Sequence, residues 1–107
     1  MDMRWIEREL LFSALDEDAA LSAAENVVAK ATDVETDEVL ALAGRLAERG
    51  FLEFYKYDEH QAPVVIDPEK ALTEIRNEPY GVFLQQTNAT EPRLAALSEE
   101  EGGQVSA

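Results

Sequence analysis

Residues 36–57 read TDEVLALAGRLAERGFLEFYKY, and within this stretch the hydrophobic period changes from helical to extended. Val39, Leu42, Ala43 and Leu46 fall on one helical face. Thr36 is a permitted N-cap, and Asp37 and Glu38 occupy the first turn, where the helix dipole favours anions. Arg45 and Arg49 lie towards the other end, on the side that favours cations. Gly50 is placed for the left-handed residue that closes a helix, a conformation that is costly for side chains with a Cβ. From Phe51 to Tyr57 the aromatic-rich run reads as a strand. A polar segment from Asp58 to Pro63 separates it from Val64-Val65-Ile66, so the two strands form a hairpin.

Working towards the N-terminus, Met3 to Leu15 reads as a helix with Asp2 as its N-cap. Ile6, Leu10 and Ala14 recur every fourth residue, flanked by Trp5, Leu11 and Leu15. Asp16-Glu17-Asp18 opposes the dipole at a helix end and reads as a loop. Ser22 and Glu25 have the spacing of a capping box. A short helix from about Ala23 to Ala31 follows, with Ala24, Val27, Val28 and Ala31 inward. Towards the C-terminus, Asp67-Pro68-Glu69 starts a helix with an N-cap acid, proline at the first position and a first-turn acid. It runs to about Arg76 and buries Ala71, Leu72 and Ile75. Asn77 to Gly81 breaks it, and Val82-Phe83-Leu84 returns to the core. Thr90-Glu91-Pro92 opens a short helix over Arg93 to Leu97, and Glu99 to Gln104 reads as a solvated tail.

The 107 residues carry 23 acidic side chains against 9 basic ones and a single histidine, a formal net charge of −14. The length suits one domain, and 46% apolar residues suffice for a packed core. The absence of cysteine excludes disulfides, thiolate nucleophiles, iron–sulfur clusters and cysteine zinc sites. A single histidine excludes any site that needs two imidazoles. There is no phosphate-binding glycine loop and no nucleophile motif. The expectation is a non-enzymatic protein with no cofactor and no metal. No apolar run reaches a membrane span, and Met1-Asp2-Met3-Arg4-Trp5 is no signal peptide, so a cytoplasmic location is expected.

Helix, capped short helix, tight turn, helix, glycine and hairpin is the winged helix-turn-helix order. Leu21-Ser22-Ala23-Ala24-Glu25 through Val39, Leu42, Leu46 and Ala47-Glu48-Arg49-Gly50-Phe51-Leu52 resembles the core pattern of that family over roughly residues 3–66. The resemblance implies an α+β fold, a winged helix-turn-helix with a three-helix core, a β-hairpin wing and a C-terminal helix. Residues 1–84 would form the winged-helix domain, and 85–107 an acidic, partly flexible extension. It also implies that the exposed positions of the third helix meet the partner: Thr36, Asp37, Glu38, Leu40, Ala41, Gly44 and Arg45.

A DNA reader needs arginine, lysine, asparagine or glutamine at those positions, and cations for phosphates. Only Arg45 answers that description. Asp33 to Arg49 holds five acids and two arginines, a sum of −3. Glu53 to His60 sums to −2 with the histidine neutral, whereas a wing that tracks DNA should be basic. The expectation is therefore a protein-binding module whose third helix contacts protein, with Leu40, Ala41 and Gly44 forming a flat apolar patch between Asp37, Glu38 and Arg45. A basic partner suits the acidic segments, and a homodimer through Trp5, Leu11 and Phe83 suits the first and last helices. The alternatives are a DNA-binding transcriptional regulator and an acidic nucleic-acid mimic that inhibits a basic protein. Weaker readings are a base-stacking platform of Phe51, Phe54, Tyr55 and Tyr57, a metal site at His60 with Asp58 and Glu59, and an acid/base pair of Glu7 with Asp18.

Overall fold

The computed structural model of the chain describes residues 3–16, 19–78 and 80–105. Among these residues it is an α+β fold of five helices and one four-stranded antiparallel sheet. The helices are α1 (Met3–Leu15), α2 (Leu21–Thr32), α3 (Thr36–Glu48), α4 (Pro68–Asn77) and α5 (Thr90–Val105). The strands are β1 (Ala19–Ala20), β2 (Leu52–Tyr57), β3 (Pro63–Ile66) and β4 (Phe83–Gln86), in the spatial order β1-β4-β2-β3.

The last strand in sequence lies inside the sheet. β4 pairs with β1 through Ala19↔Leu84 and Ala20↔Phe83, and with β2 from Leu52↔Gln86 to Tyr55↔Phe83. Because β3 and β4 both run antiparallel to β2, they are parallel to each other, and α4 carries the chain over β2 between them. Period-two alternation then divides the side chains. Leu52, Phe54, Ile66 and Leu84 face the helices and are buried, while Tyr55, Tyr57, Val65 and Phe83 share the outer face. There Tyr55 stacks on Phe83 at 5.4 Å, and Tyr57 meets both rings edge-on.

The hairpin tip is organised by Asp58, whose Oδ1 accepts the N–H groups of His60 (2.8 Å) and Ala62 (3.0 Å). The Asp58 N–H donates to the Ala62 carbonyl, which sets the phase of the ladder. Alternation from that bond turns the backbone groups of Val64 and Ile66 towards β2, and those of Pro63 and Val65 towards the open edge. Proline has no N–H, so only Val65 offers a donor along β3 at that edge, which blunts it against strand addition.

α1 spans the residues its periodicity predicts. Ile6, Leu10, Leu11 and Ala14 pack against β2, β4 and the other helices, with Trp5 and Leu15 half-buried around them. Its expected cap, Asp2, and the loop residues Glu17 and Asp18 lie outside the described residues. α2 starts two residues before the predicted Ala23, and its first N–H, on Leu21, donates to the Val82 carbonyl. A backbone carbonyl thus satisfies the first N–H of the earlier start, and the capping box does not form: the N-cap is Ala20, with no side-chain bond. Ala24 and Val28 face inward as expected, but Val27 is 65% exposed and Ala31 is exposed too. Asp33 closes α2 in the left-handed region (φ 58°). α3 begins at Thr36 itself with Glu35 as N-cap, and Gly50 takes a φ of +81° after it.

Beyond residue 84, α5 contributes side chains to the same core. Leu94 and Leu97 on α5 are buried in the common cluster, and α5 lies along α1. The helix continues to Val105 through the stretch expected to be a tail. Two threonines fasten its start to the α3–β2 joint. Thr90, fully buried, donates its Oγ1 hydrogen to the Phe51 carbonyl (2.5 Å) and accepts the Thr87 N–H (2.8 Å). Thr87 Oγ1 donates to the Gly50 carbonyl at 2.6 Å. Arg93 on α5 grips Glu7 on α1 with two bonds, Nε to Oε1 at 2.6 Å and Nη2 to Oε2 at 3.2 Å, and its guanidinium lies 5.4 Å from the Phe51 ring centre.

Two substitutions test this joint. Nothing lies within 4 Å of a Cβ built on Gly50, so Gly50→Ala carries only the backbone cost of the left-handed region, about 1–2 kcal/mol. Thr90→Val keeps the shape but leaves the Phe51 carbonyl and the Thr87 N–H short of a partner, at about 1–3 kcal/mol. Urea unfolding measures both, and a loss below about 0.5 kcal/mol for either, within the usual surface range, contradicts the assignment.

Candidate functional site

α3 is amphipathic to the extent that its two faces have different chemistry. Val39, Leu40, Leu42, Ala43, Gly44 and Leu46 are buried. Glu35, Thr36, Asp37, Glu38, Ala41, Arg45, Glu48 and Arg49 are exposed. Five of the seven residues expected to meet a partner therefore reach solvent: Thr36, Asp37, Glu38, Ala41 and Arg45. Leu40 and Gly44 do not. A Cβ on Gly44 would lie 3.1 Å from Leu72 Cδ1 of α4, so the glycine admits the close approach of that helix. The expected apolar patch is thereby reduced to Ala41 in a frame of charges. α4 covers it because its own stripe, Ala71, Leu72 and Ile75, needs an apolar surface to pack on.

The remaining face is electronegative. The Asp37 and Glu38 carboxylates stand in the first turn of α3 and Glu35 is its N-cap, with Arg45 about two turns further on. The hairpin adds the exposed Glu59 and half-buried Asp58, while its lysine, Lys56, reaches back to Glu74 on α4 at 2.8 Å. Lys56 thus lies on the helix-covered side of the sheet, not on an outward cationic surface.

The other sequence-derived candidates are rearranged by packing. Leu11 is fully buried in the core and is not available as a dimer contact. Trp5 is half-buried against the core, and Phe83 is half-buried between Tyr55 and Tyr57. Phe51, Phe54, Tyr55 and Tyr57 do not form one stacking surface: Phe54 faces the core, Phe51 lies under Arg93, and of the two tyrosines on the outer face of the sheet Tyr55 is buried and only Tyr57 is exposed. Glu7 is engaged by Arg93, and Asp18, its imagined acid/base partner, lies outside the described residues. Among the described residues no group of three or more His, Cys, Asp or Glu side chains is placed to hold a metal, and His60 is exposed at the hairpin tip.

Ser22 and Glu25 have the spacing of a cap, but packing gives them another setting. They lie three residues apart on α2 and share a face, with 3% and 8% of their surfaces exposed. Ser22 Oγ and Glu25 Oε2 are buried without a hydrogen-bond partner. Burial raises the Glu25 carboxyl above the ordinary glutamate range, and the Asp37 carboxylate raises it further.

A carboxyl whose folded value is raised favours the fold while protonated and loses that contribution as pH climbs from the ordinary glutamate value through the raised one. Glu25→Gln, which keeps the shape without the charge, is expected to be more stable than the native chain at pH 7. Its advantage should shrink as pH falls from the raised Glu25 value to the ordinary glutamate range. Thermal unfolding of both chains across that range measures the difference, and a variant less stable at pH 7 contradicts the reading.

Compared with known protein families, curated proteins and solved structures, the chain matches none.

Proposed function

We propose that the chain is a non-enzymatic module of winged-helix type that binds protein through the exposed face of α3, and that its partner presents a basic surface. Three helices followed by a hairpin, with a short strand between the first two helices joining the sheet, support the architectural part of this reading. The single observation that carries the functional part is the composition of the α3 face: Glu35, Asp37 and Glu38 around Thr36 and Ala41, with Arg45 beyond. Phosphate recognition draws its affinity from cations that displace counterions, and this face carries carboxylates where such cations would stand. A small side chain inside a charged frame fits close contact with a partner's helix or loop. Opposite charges accelerate the encounter and make it sensitive to salt.

The module needs no cofactor and no second copy for this contact. Homodimerisation through Trp5 and Phe83 remains part of the proposal only as a separate surface.

A photo-crosslinking residue at Ala41, compared with one at Ala95 on the exposed side of α5, tests the reading in cells of the source. The expected result is a protein with a basic contact segment, crosslinked from position 41 and not from position 95, and lost in Asp37→Lys/Glu38→Lys. Nucleic acid crosslinked from position 41, or equal capture at both positions, overturns it.

A further inference from the structure

We infer that the corner formed by Ser22 and Glu25 on α2 and Asp37 on α3 seats a basic side chain, lysine or arginine, of a protein partner. The inference rests on the proposed function only for the source of that cation; the seat itself stands on its own geometry. Ser22 and Glu25 are 3% and 8% exposed, and neither Ser22 Oγ nor Glu25 Oε2 has a hydrogen-bond partner. Buried polar atoms are nearly always paired, and a buried carboxylate is paired with a cation or a set of donors. A carboxylate oxygen takes a donor, and the Ser22 hydroxyl accepts one equally well. The donor's charge is indicated by the acids around it: Glu25 itself, and Asp37 in the first turn of the helix packed against α2.

The two helix starts supply about half a positive charge each. The four carboxylates of Glu25, Glu35, Asp37 and Glu38 outweigh that. Lysine and arginine bring several donors on a long apolar stem, which suits a seat whose outer member, Asp37, is exposed and whose inner member, Glu25, keeps only a sliver of surface. A divalent metal fits less well, because it takes six or more oxygen ligands, or demands an octahedron, and this corner offers two carboxylates and a hydroxyl.

The test uses the whole chain, with the side-chain carboxyl carbons followed by NMR at neutral pH and constant ionic strength. The probes are N-acetyl-arginine amide and N-acetyl-lysine amide, with magnesium and calcium chloride in separate arms. Glu91, exposed on α5, serves as the reference for unspecific attraction. Either amide is expected to saturate the Glu25 carbon at a concentration roughly threefold or more below that for Glu91, beyond what exposed ion pairing supplies. The accompanying shifts at the Ser22 and Asp37 amides should vanish in Glu25→Gln. Equal responses at Glu25 and Glu91, shifts that persist in Glu25→Gln, or saturation by a metal ahead of both amides overturn the inference. Failure here with a protein captured from position 41 sinks the seat alone; saturation here with no such capture sinks the α3 reading alone.

Discussion

The insertion of β4 between β1 and β2 is the constraint on which the rest of this structure depends. It makes the C-terminal third of the chain indispensable to the sheet, since without β4 the two-residue β1 has no neighbour and the hairpin has no second side. It also dictates the course of the chain around it. To reach the centre of the sheet from the edge strand β3, the polypeptide must pass over β2, and α4 is that passage. Leaving β4, it must turn at Thr87, where the threonine bonds to Gly50 and Phe51 hold the start of α5 against the end of α3. α5 is then directed along α1, where Arg93 closes the bidentate pair with Glu7.

This arrangement also sorts the charges. With a net charge of −14, the chain has few cations to distribute. Two of them are taken up internally: Lys56 by Glu74 across the sheet–α4 contact, and Arg93 by Glu7 across the α5–α1 contact. Both ion pairs are partly buried, and removal of either cation would leave a carboxylate in a place where water screens it poorly. The exposed turn at the start of α3 keeps its acids. There the helix dipole favours Asp37 and Glu38. On the proposed reading, the face that a DNA-binding relative of this architecture would offer to phosphates is instead offered to a basic protein.

Local signals were read well where local physics decides. α1 could be bounded to the residue because its stripe from Ile6 to Ala14 coincides with the surface it buries. Gly50, the hairpin around Asp58 and the start of α4 at Asp67-Pro68 follow from backbone preferences that hold in any context. Three of the misreadings come from contacts between distant segments. Ser22 and Glu25 have a capping box's spacing, but the Val82 carbonyl reaches the Leu21 N–H and the helix begins earlier. Leu40 and Gly44 have the period of an outward patch, but both are buried, Gly44 beneath Leu72 of α4. Two alanines carry no strand signal, so β1 was illegible until β4 was beside it. Of the candidate site, the acids and Arg45 were legible because exposure at the start of an amphipathic helix follows from its period. The buried state of Glu25 was not, since it depends on how α2 meets α3.

On the proposed reading, the carboxylates of the α3 face repel polyanions. The most direct test is the fluorescence anisotropy of a labelled duplex of mixed sequence titrated with the native chain, with salt varied from about 20 to 200 mM, the range over which phosphate contacts weaken steeply. The account predicts no rise in anisotropy at any salt concentration up to high micromolar protein. A saturable rise at low salt that falls as salt increases would contradict it, and would mean that cations elsewhere on the molecule form a phosphate-binding surface.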